Sequence, residues 1–178
     1  MGSLLGYLVV KAVRELVYMG GIGVFNEFGI PQEFRYTDPV EPTEVQRILF
    51  GDSLDLAVRV KVVGESLIKE LSVSPEYIIT HTKDMLQIKS SIPLAYLEHT
   101  QHAPLDDVGK YVSEGEGYLV QLYPAQSPYY VVLSSKKKDV GKLVDILVDF
   151  ATHIADVIEP LTRVEGVIDY IYNTQYKL

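Results

Sequence analysis

Residues 18–50 constrain the fold more than any other stretch, because two strand patterns, a turn and a helix start follow one another within them. Met19 to Phe25 alternates small and large residues, and Gln32 to Thr37 has the two-residue period of a half-buried strand. Between them, Gly29 accepts a positive φ, and Pro31 suits a bend or the first residue of a strand. The stretch therefore predicts a hairpin.

A helix start follows this hairpin. Pro39 and Pro42 end ladder pairing, because proline has no amide hydrogen to donate. Thr43 and Gln46 have the spacing of a capping box, in which the threonine oxygen accepts from an orphan amide and the glutamine side chain reaches back. We therefore expect a helix to begin at Thr43.

Hydrophobic periodicity predicts the other elements. The patterns indicate strands at residues 4–13, 77–81, 85–89, 118–123 and 129–133, and helices at 54–71, after Asp139 and from Pro160. Residues 77–89 are expected to form a hairpin with Lys83 and Asp84 at its tip. The order predicts a single α+β domain over residues 1–178, with an antiparallel sheet, a helix after the first three strands and two C-terminal helices. This outline is similar to the profilin-like and longin-like sandwiches.

The run from Gly29 to Val40, followed by Pro42-Thr43, Gln46-Arg47 and Phe50-Gly51, resembles a family of bacterial hypothetical proteins. The resemblance covers the N-terminal part of the chain. It implies a shared fold, and no substrate, cofactor or catalytic residue is established for that family.

The charge balance limits the expected partners. The chain has 24 acidic and 16 basic residues and a net charge of −8, so its overall field repels phosphate backbones and anionic membrane surfaces. We therefore expect neither nucleic acid nor a membrane as a partner. The N-terminal residues lack a signal-peptide pattern, and no run of about 18 apolar residues occurs.

The chain has no cysteine, which excludes disulfides, thiolate nucleophiles and cysteine metal sites. This composition fits a reducing cytoplasm, where we expect the protein to be located, and we predict no cofactor. The lack of cysteine and tryptophan, together with abundant valine, glutamate and tyrosine, is compatible with a thermophilic source.

Residues 98–117 are the least regular part of the chain, and they supply candidate metal ligands. His99 and His102 lie in this segment, and His81 precedes it. Imidazole and carboxylate side chains bind zinc or manganese, so these three histidines and their acidic neighbours form one candidate site. Pro104 and the sparse apolar residues favour a solvated polar loop instead. Loops of this length are often functional or mobile.

A second candidate site consists of Arg35, Asp38 and Arg47, which follow one another through a strand, a bend and a helix start. An Arg–Asp pair that fastens the bend is the simpler interpretation. The alternative is an anion-binding pocket at the start of the helix. The lysine run 136–138 would also attract phosphate, although a solvated turn explains it.

Two features favour a contact surface. Three glycines within four positions indicate close approach of backbone or of another chain. Four tyrosines concentrate on one predicted hairpin, where their amphipathic rings suit either packing on the sheet or an interface. The candidate interface residues are Gly20, Gly21, Gly23, Tyr118, Tyr123, Tyr129 and Tyr130.

The spacing of the polar residues does not indicate that any set of them meets at a reacting atom. The leading hypothesis is therefore a non-enzymatic module that forms a homodimer or another oligomer, or that binds a protein partner. The alternatives are a small-ligand or metal-dependent enzyme that uses the 98–117 loop, and an anion-binding sensor. Whether the chain is an enzyme stays open. An arrangement in which His81, His99 and an acidic neighbour surround one buried cavity would favour the enzyme.

Overall fold

One mixed sheet of eight strands forms the centre of the structure. The computed structural model describes residues 2–135 and 139–177, so the lysine run 136–138 lies outside the described residues. The strands are β1 (Leu5–Arg14), β2 (Val17–Phe25), β3 (Pro31–Tyr36), β4 (Tyr77–Thr80), β5 (Leu94–His99), β6 (Tyr111–Glu114), β7 (Gly117–Val120) and β8 (Tyr129–Leu133). The helices are α1 (Glu44–Phe50), α2 (Leu54–Ala57), α3 (Ser66–Glu70), α4 (Val140–Ala151) and α5 (Glu159–Ile171), with π-helical segments at Val58–Glu65 and Tyr172–Tyr176. The predicted α+β class is confirmed.

The mixed sheet corrects the prediction of an antiparallel one. The strand order is β3-β2-β1-β4-β5-β8-β7-β6. The first three strands form the predicted antiparallel start, but β4 pairs in parallel with both β1 and β5. Parallel neighbours require a crossover connection, and the helical residues 44–70 supply it between β3 and β4.

The predicted hairpin at residues 77–89 is wrong, because β4 and β5 are parallel and the segment between them is a crossover. Residues 83–87 form a 3-10 turn in place of the expected strand. Met85 is buried in this turn, and Asp84 Oδ2 lies 2.6 Å from Arg59 Nη2. A short apolar pattern fits a buried turn as well as a strand, so periodicity alone does not separate the two.

Local signals at the helix starts and in the C-terminal hairpin are confirmed. The Gln46 amide donates to Thr43 Oγ1 at 3.2 Å, and the Thr43 amide donates to Gln46 Oε1 at 2.8 Å. Asp139 caps α4 by accepting a hydrogen bond from the Gly141 amide. β7 and β8 pair as an antiparallel hairpin. Each of these features depends on residues that are close in the chain.

Helices cover both faces of the sheet. Alternate residues of β1 point to opposite sides. Tyr7 and Val9 pack in the cluster that contains α4 and α5, whereas Leu8 and Val10 pack with α2, α3 and the segment between them. β1 is therefore buried on both faces along most of its length. None of the helices within residues 2–135 and 139–177 combines the length and apolar character that crossing a lipid bilayer demands.

The glycines of β2 allow helices of the same chain to approach the sheet closely. A Cβ atom at Gly20 would lie 2.4 Å from Val63 Cγ1, and one at Gly21 would lie 3.2 Å from Ile168 Cδ1. Gly23 belongs to the same strand, all of which is buried. These glycines therefore serve packing within the chain, in contrast to the predicted contact with another chain.

Glu33 fastens β3 to the end of α3. Its carboxylate accepts hydrogen bonds from the amides of Ser72 and Val73 and pairs with Arg35 at 2.7 Å. Burial disfavours the charged form, but these partners outweigh burial and lower the pKa of Glu33 to about 2. The ionised carboxylate is therefore part of the native structure.

We expect Glu33→Gln to reduce the free energy of unfolding by about 1–2 kcal/mol at neutral pH, because hydrogen bonds to a charged acceptor are lost. The native pKa is depressed, so this contribution is complete above the ordinary value of 4.5 and disappears as the pH falls towards about 2. Urea titrations at neutral pH should separate the variant from the wild type, and titrations near the depressed pKa should not. An equal difference under both conditions would contradict this role.

Candidate active site

The carboxyl ends of β4 and β5 border a cleft of about 430 Å³. These strands run parallel, so their carboxyl ends lie at the same edge of the sheet. In open sheets, the crevice outside the carboxyl ends of parallel strands is a common ligand site. The other wall is the segment that leads into α5, together with the first turns of α5. The polar residues that line the cleft are His81, Glu98, His99, Asp156, Glu159, Thr162 and Glu165.

Strand alternation brings two of the predicted histidines into this cleft. The register pairs Tyr7 with Ile79, and Ile79 with Ala95. Side chains two residues apart share a face of a sheet. His81 therefore follows Ile79 on the side that α5 covers, and His99 lies on the same side of β5 as Ala95. Of the acidic side chains, Glu98 adjoins His99 in β5, and Asp156, Glu159 and Glu165 come from the segment before α5 and from α5.

Asp156 holds His99 at the cleft. The Nε2 atom of His99 lies 2.8 Å from Asp156 Oδ2. The other carboxylate oxygen accepts hydrogen bonds from the Tyr129 hydroxyl at 2.8 Å and from the Ile158 amide at 3.1 Å. Burial, reinforced by the bond to Asp156, raises the pKa of Tyr129 far above its usual range, so its hydroxyl remains a donor. A carboxylate that is itself fixed and that orients an imidazole is typical of acid–base sites.

His81 is the second imidazole of the cleft, and it is half-buried. Burial lowers its pKa, which favours the neutral form at neutral pH. Its Nδ1 atom is buried and, among the residues that the structure describes, has no hydrogen-bond partner. A neutral imidazole at a cleft can take up a proton during a reaction.

Lys11 places a positive charge beside the cleft. Its Nζ atom lies 2.9 Å from Asp169 Oδ1 and 3.4 Å from Glu165 Oε1, and both carboxylates belong to α5. Burial opposes the charged ammonium, but the two carboxylates outweigh burial and raise the pKa of Lys11. The strand and the helix are therefore joined by an ion-paired cluster, of which Glu165 lines the cleft.

The donor set of the cleft does not fit a divalent metal centre. Each carboxylate that lines it already has a partner from the chain: Asp156 has His99, Glu165 has Lys11, Glu159 has Arg163, and Glu98 has the Tyr96 hydroxyl. Across residues 2–135 and 139–177, no group of three or more metal-binding side chains is arranged to hold an ion. Partners from the chain engage both oxygens of Asp156 and of Glu159, and one oxygen each of Glu165 and Glu98, so no pair of lining carboxylates is left free for a metal.

The predicted histidine trio is only partly brought together. His81 and His99 line one cleft, whereas His102 is exposed, and its Nδ1 atom lies 2.8 Å from the carbonyl oxygen of its neighbour Ala103. The acidic side chain that completes the cleft is Asp156, which lies 57 residues beyond His99.

The predicted 98–117 loop is shorter and more ordered than expected. β5 continues to His99, and β6 occupies Tyr111–Glu114. Between them, the amide of Leu105 donates to Oε1 of Gln121, a buried polar residue, at 2.8 Å. The segment is thus fastened to the sheet, in contrast to a loop that serves as a lid over its whole length.

Arg35, Asp38 and Arg47 do not converge on one site. Arg35 pairs with Glu33, and the nearest carboxylate of Arg47 is Glu41, at 3.7 Å. Asp38 accepts a hydrogen bond from the Tyr176 hydroxyl. Neither the predicted anion pocket nor the predicted Arg–Asp pair is formed, because each side chain has a different partner.

The tyrosines of the predicted interface direct their hydroxyl groups to partners within the chain. Tyr123 donates to the carbonyl oxygen of Ile154 at 2.6 Å, and Tyr130 donates to that of Glu114 at 3.0 Å. Tyr129 holds Asp156, as described above, and Tyr118 contacts the ring of Tyr111 edge-on, with centroids 5.9 Å apart. These rings consolidate the sheet edge and the cleft.

Sequence spacing gave no indication that Lys11, Asp156 and Glu165 belong to the site or its surroundings. Lys11 and Glu165 are 154 residues apart in the chain, so no local pattern connects them. One signal was available: Lys11 is the only charged residue between Leu4 and Val13, an otherwise apolar strand pattern. A charge in such a strand generally has a buried or half-buried partner.

No protein-family model and no curated protein matches the chain. Among solved structures, it is similar to endonuclease V from Streptomyces avermitilis, with 10% identity and a TM-score of 0.54 over 97% of this chain and 82% of that chain. It is similar to Ciona intestinalis endonuclease V in complex with a DNA that contains an inosine followed by a ribo-adenosine, with 11% identity and a TM-score of 0.52 over 93% and 84% of the two chains. It is also similar to the Argonaute Aa-Ago with externally bound siRNA, with 10% identity and a TM-score of 0.52, over 99% of this chain but only 29% of the Argonaute.

These comparisons correct two expectations. Structures that contain DNA or siRNA contradict the exclusion of nucleic acid, and the endonuclease neighbours contradict the non-enzymatic homodimer or protein-binding module. Net charge was misleading because it sums the whole chain, whereas binding depends on where the cations lie. The profilin-like and longin-like outline stays unconfirmed, and the architecture that the neighbours share with this chain is a ribonuclease H-like fold.

Proposed function

We propose that the protein processes nucleic acid by cleaving a phosphodiester bond at the cleft between β4, β5 and α5. The observation that carries this proposal is the meeting of His81, His99 and Asp156 at one cleft. The fold shared with endonuclease V and Argonaute supports nucleic acid as the substrate class. We also propose a cytoplasmic location, which the lack of cysteine supports.

Two imidazoles meet the needs of this reaction. The oxygen of a water molecule bonds to phosphorus, and the bond from phosphorus to the leaving oxygen breaks. One group must take the proton from the attacking water, and another must give a proton to the leaving oxygen. His81, whose pKa is lowered by burial, takes the first proton, and His99, whose ring is oriented by Asp156, gives the second.

Lys11 makes the acidic wall of the cleft less repulsive to a phosphate. Its ammonium group lies within 3.4 Å of carboxylates of both Glu165 and Asp169. Opposite charges at this distance cancel much of each other's field. The backbone of a nucleic acid can therefore approach from the side of β1.

A cleavage assay tests the proposed function. End-labelled single-stranded and duplex DNA and RNA are incubated with the purified protein, with and without EDTA, and the products are separated on a denaturing gel. We expect cleavage of at least one substrate to persist in EDTA, because the cleft carboxylates are already engaged.

Two outcomes would count against parts of this proposal. Failure of the wild-type protein to cut any of the four substrates would contradict nucleic-acid processing. Cleavage that requires added Mg²⁺ or Mn²⁺ would contradict the assignment of the chemistry to the two histidines, while it would support the substrate class.

A further inference from the structure

A second pocket lies next to the cleft, at the carboxyl end of β1. It has a volume of about 370 Å³ and is lined by Arg14, Pro39, Tyr172, Tyr176 and Lys177. Two aromatic rings and two cations therefore face one space. This combination of groups is typical of sites that bind single-stranded nucleic acid, where bases stack on aromatic rings and cations follow the backbone.

β1 and α5 connect the pocket with the cleft. Lys11 of β1 pairs with Asp169 and with Glu165 of α5, and Glu165 lines the cleft. Arg14 lies three residues further along β1, roughly 10 Å away at the strand rise. Tyr172 lies one helical turn beyond Asp169, roughly 5 Å along the axis. A β-bulge between Ala12 and Arg14 redirects the end of the strand, which places Arg14 in the pocket.

The two tyrosines are held in position by the protein. The Tyr176 hydroxyl donates to Asp38, and the ring remains partly exposed. Tyr172 packs against the core cluster that contains α4 and α5. Rings that are already fixed lose little conformational freedom when a base stacks on them.

The cations of the pocket are available to a phosphate. Arg14 pairs with Glu41 at 3.4 Å, but both side chains are more than half exposed, and exposed ion pairs of this kind are weak. Within residues 2–135 and 139–177, no ion pair involves Lys177. A phosphate can therefore replace Glu41 at Arg14 and bind Lys177 at the same time.

We infer that this pocket binds a nucleotide of a single-stranded nucleic acid, with the base on Tyr172 and Tyr176 and the phosphate against Arg14 and Lys177. The inference rests on the proposed function in one respect: the bound strand is the one whose backbone enters the cleft. The pocket thus supplies the strand affinity that the acidic cleft lacks.

Equilibrium binding tests this inference without any need for cleavage. Labelled single-stranded DNA and RNA of about twelve nucleotides are titrated with the protein, and fluorescence anisotropy gives Kd. The Tyr176→Ala protein loses stacking on one ring, so its Kd should be about 5- to 150-fold larger than that of the wild type. Tyr176→Phe keeps the ring but loses the bond to Asp38, so its Kd should lie between those of the wild type and Tyr176→Ala. Tyr170→Ala is the matched control, because Tyr170 is on the same helix, exposed, and outside the pocket.

A tryptophan reporter gives a second, independent measurement. The chain has no tryptophan, so Tyr176→Trp introduces a single fluorophore into the pocket, and Tyr170→Trp places one outside it. Base stacking should quench the fluorescence of the Tyr176→Trp protein and leave that of the Tyr170→Trp protein unchanged. An abasic oligonucleotide of equal length should bind more weakly and cause no quenching. Lys177→Gln should reduce the slope of log Kd against log salt by about 0.7.

The outcomes separate the pocket from the proposed function. Equal Kd values for Tyr176→Ala and Tyr170→Ala, or equal binding of abasic and normal strands, would overturn the pocket, even if the wild-type protein cleaves nucleic acid. Tyr176-dependent binding by a protein that cleaves nothing would support the pocket and contradict the proposed function.

Discussion

His99→Ala is expected to slow phosphodiester cleavage by about 10²- to 10⁴-fold, the usual contribution of a positioned acid or base. The ring of His99 is bound by Asp156 and largely exposed, with 63% of its side chain accessible. Its removal therefore takes away the proposed proton donor and little of the core. Asp156→Asn should lower the rate in the same direction, because it removes the charge that orients the imidazole while it keeps the shape of the side chain.

The matched control for this prediction is His102→Ala. His102 follows His99 by three residues and is exposed. Its ring contacts the carbonyl oxygen of Ala103, and its amide donates to Thr100 Oγ1. Initial rates across a pH series, with melting temperatures for every variant, would separate a chemical role from a structural one. If the rates of the two alanine variants were equal, His99 would have no part in the reaction.

Gly20→Ala should reduce the free energy of unfolding by about 1–3 kcal/mol, the usual cost of an overpacked core. The new methyl group would lie 2.4 Å from Val63 Cγ1 and 2.8 Å from Leu67 Cδ1, so the helical segment above β2 must move or the side chains must leave their rotamers. For a domain of this size, the melting temperature should fall by roughly 3–12 °C. Calorimetry or thermal circular dichroism would measure the change.

Gly166→Ala is the matched control for this substitution. Gly166 lies in α5, and a Cβ atom there would have no neighbour within 4 Å. Alanine favours a helix over glycine, so this variant should be more stable by about 0.5–1 kcal/mol. A Gly20→Ala protein as stable as the wild type would show that the contact between the helices and β2 is loosely packed.

Features set by neighbouring residues could be predicted from the sequence. The capping box of Thr43 and Gln46, the Asp139 cap and the hairpin of β7 and β8 each depend on residues a few positions apart. The parallel pairing of β4 could not be predicted in this way, because Leu5 meets Tyr77 only after the chain has crossed the sheet through the helical residues 44–70. Antiparallel pairing was inferred from short connections, and this connection is long.

In the candidate site too, residue types could be predicted from the sequence, whereas their arrangement could not. His81 and His99 were recognised by residue type, but the spacing between them is set by two parallel strands, and Asp156 arrives from the segment before α5. The glycines of β2 were recognised as points of close approach, but the sequence does not say whether a helix of the same chain or another molecule approaches. Long-range topology decides both questions.

The bond from the Tyr7 hydroxyl to the carbonyl oxygen of Val157, at 2.8 Å, joins residues 150 positions apart. During synthesis, the side of β1 that carries Tyr7 therefore stays uncovered until the residues of α5 have been made. Contacts of this kind slow folding, because the chain loses the entropy of closing a large loop before the contacts stabilise it. This apolar sheet face is exposed until α5 packs on it, and truncation within α5 should leave an insoluble product.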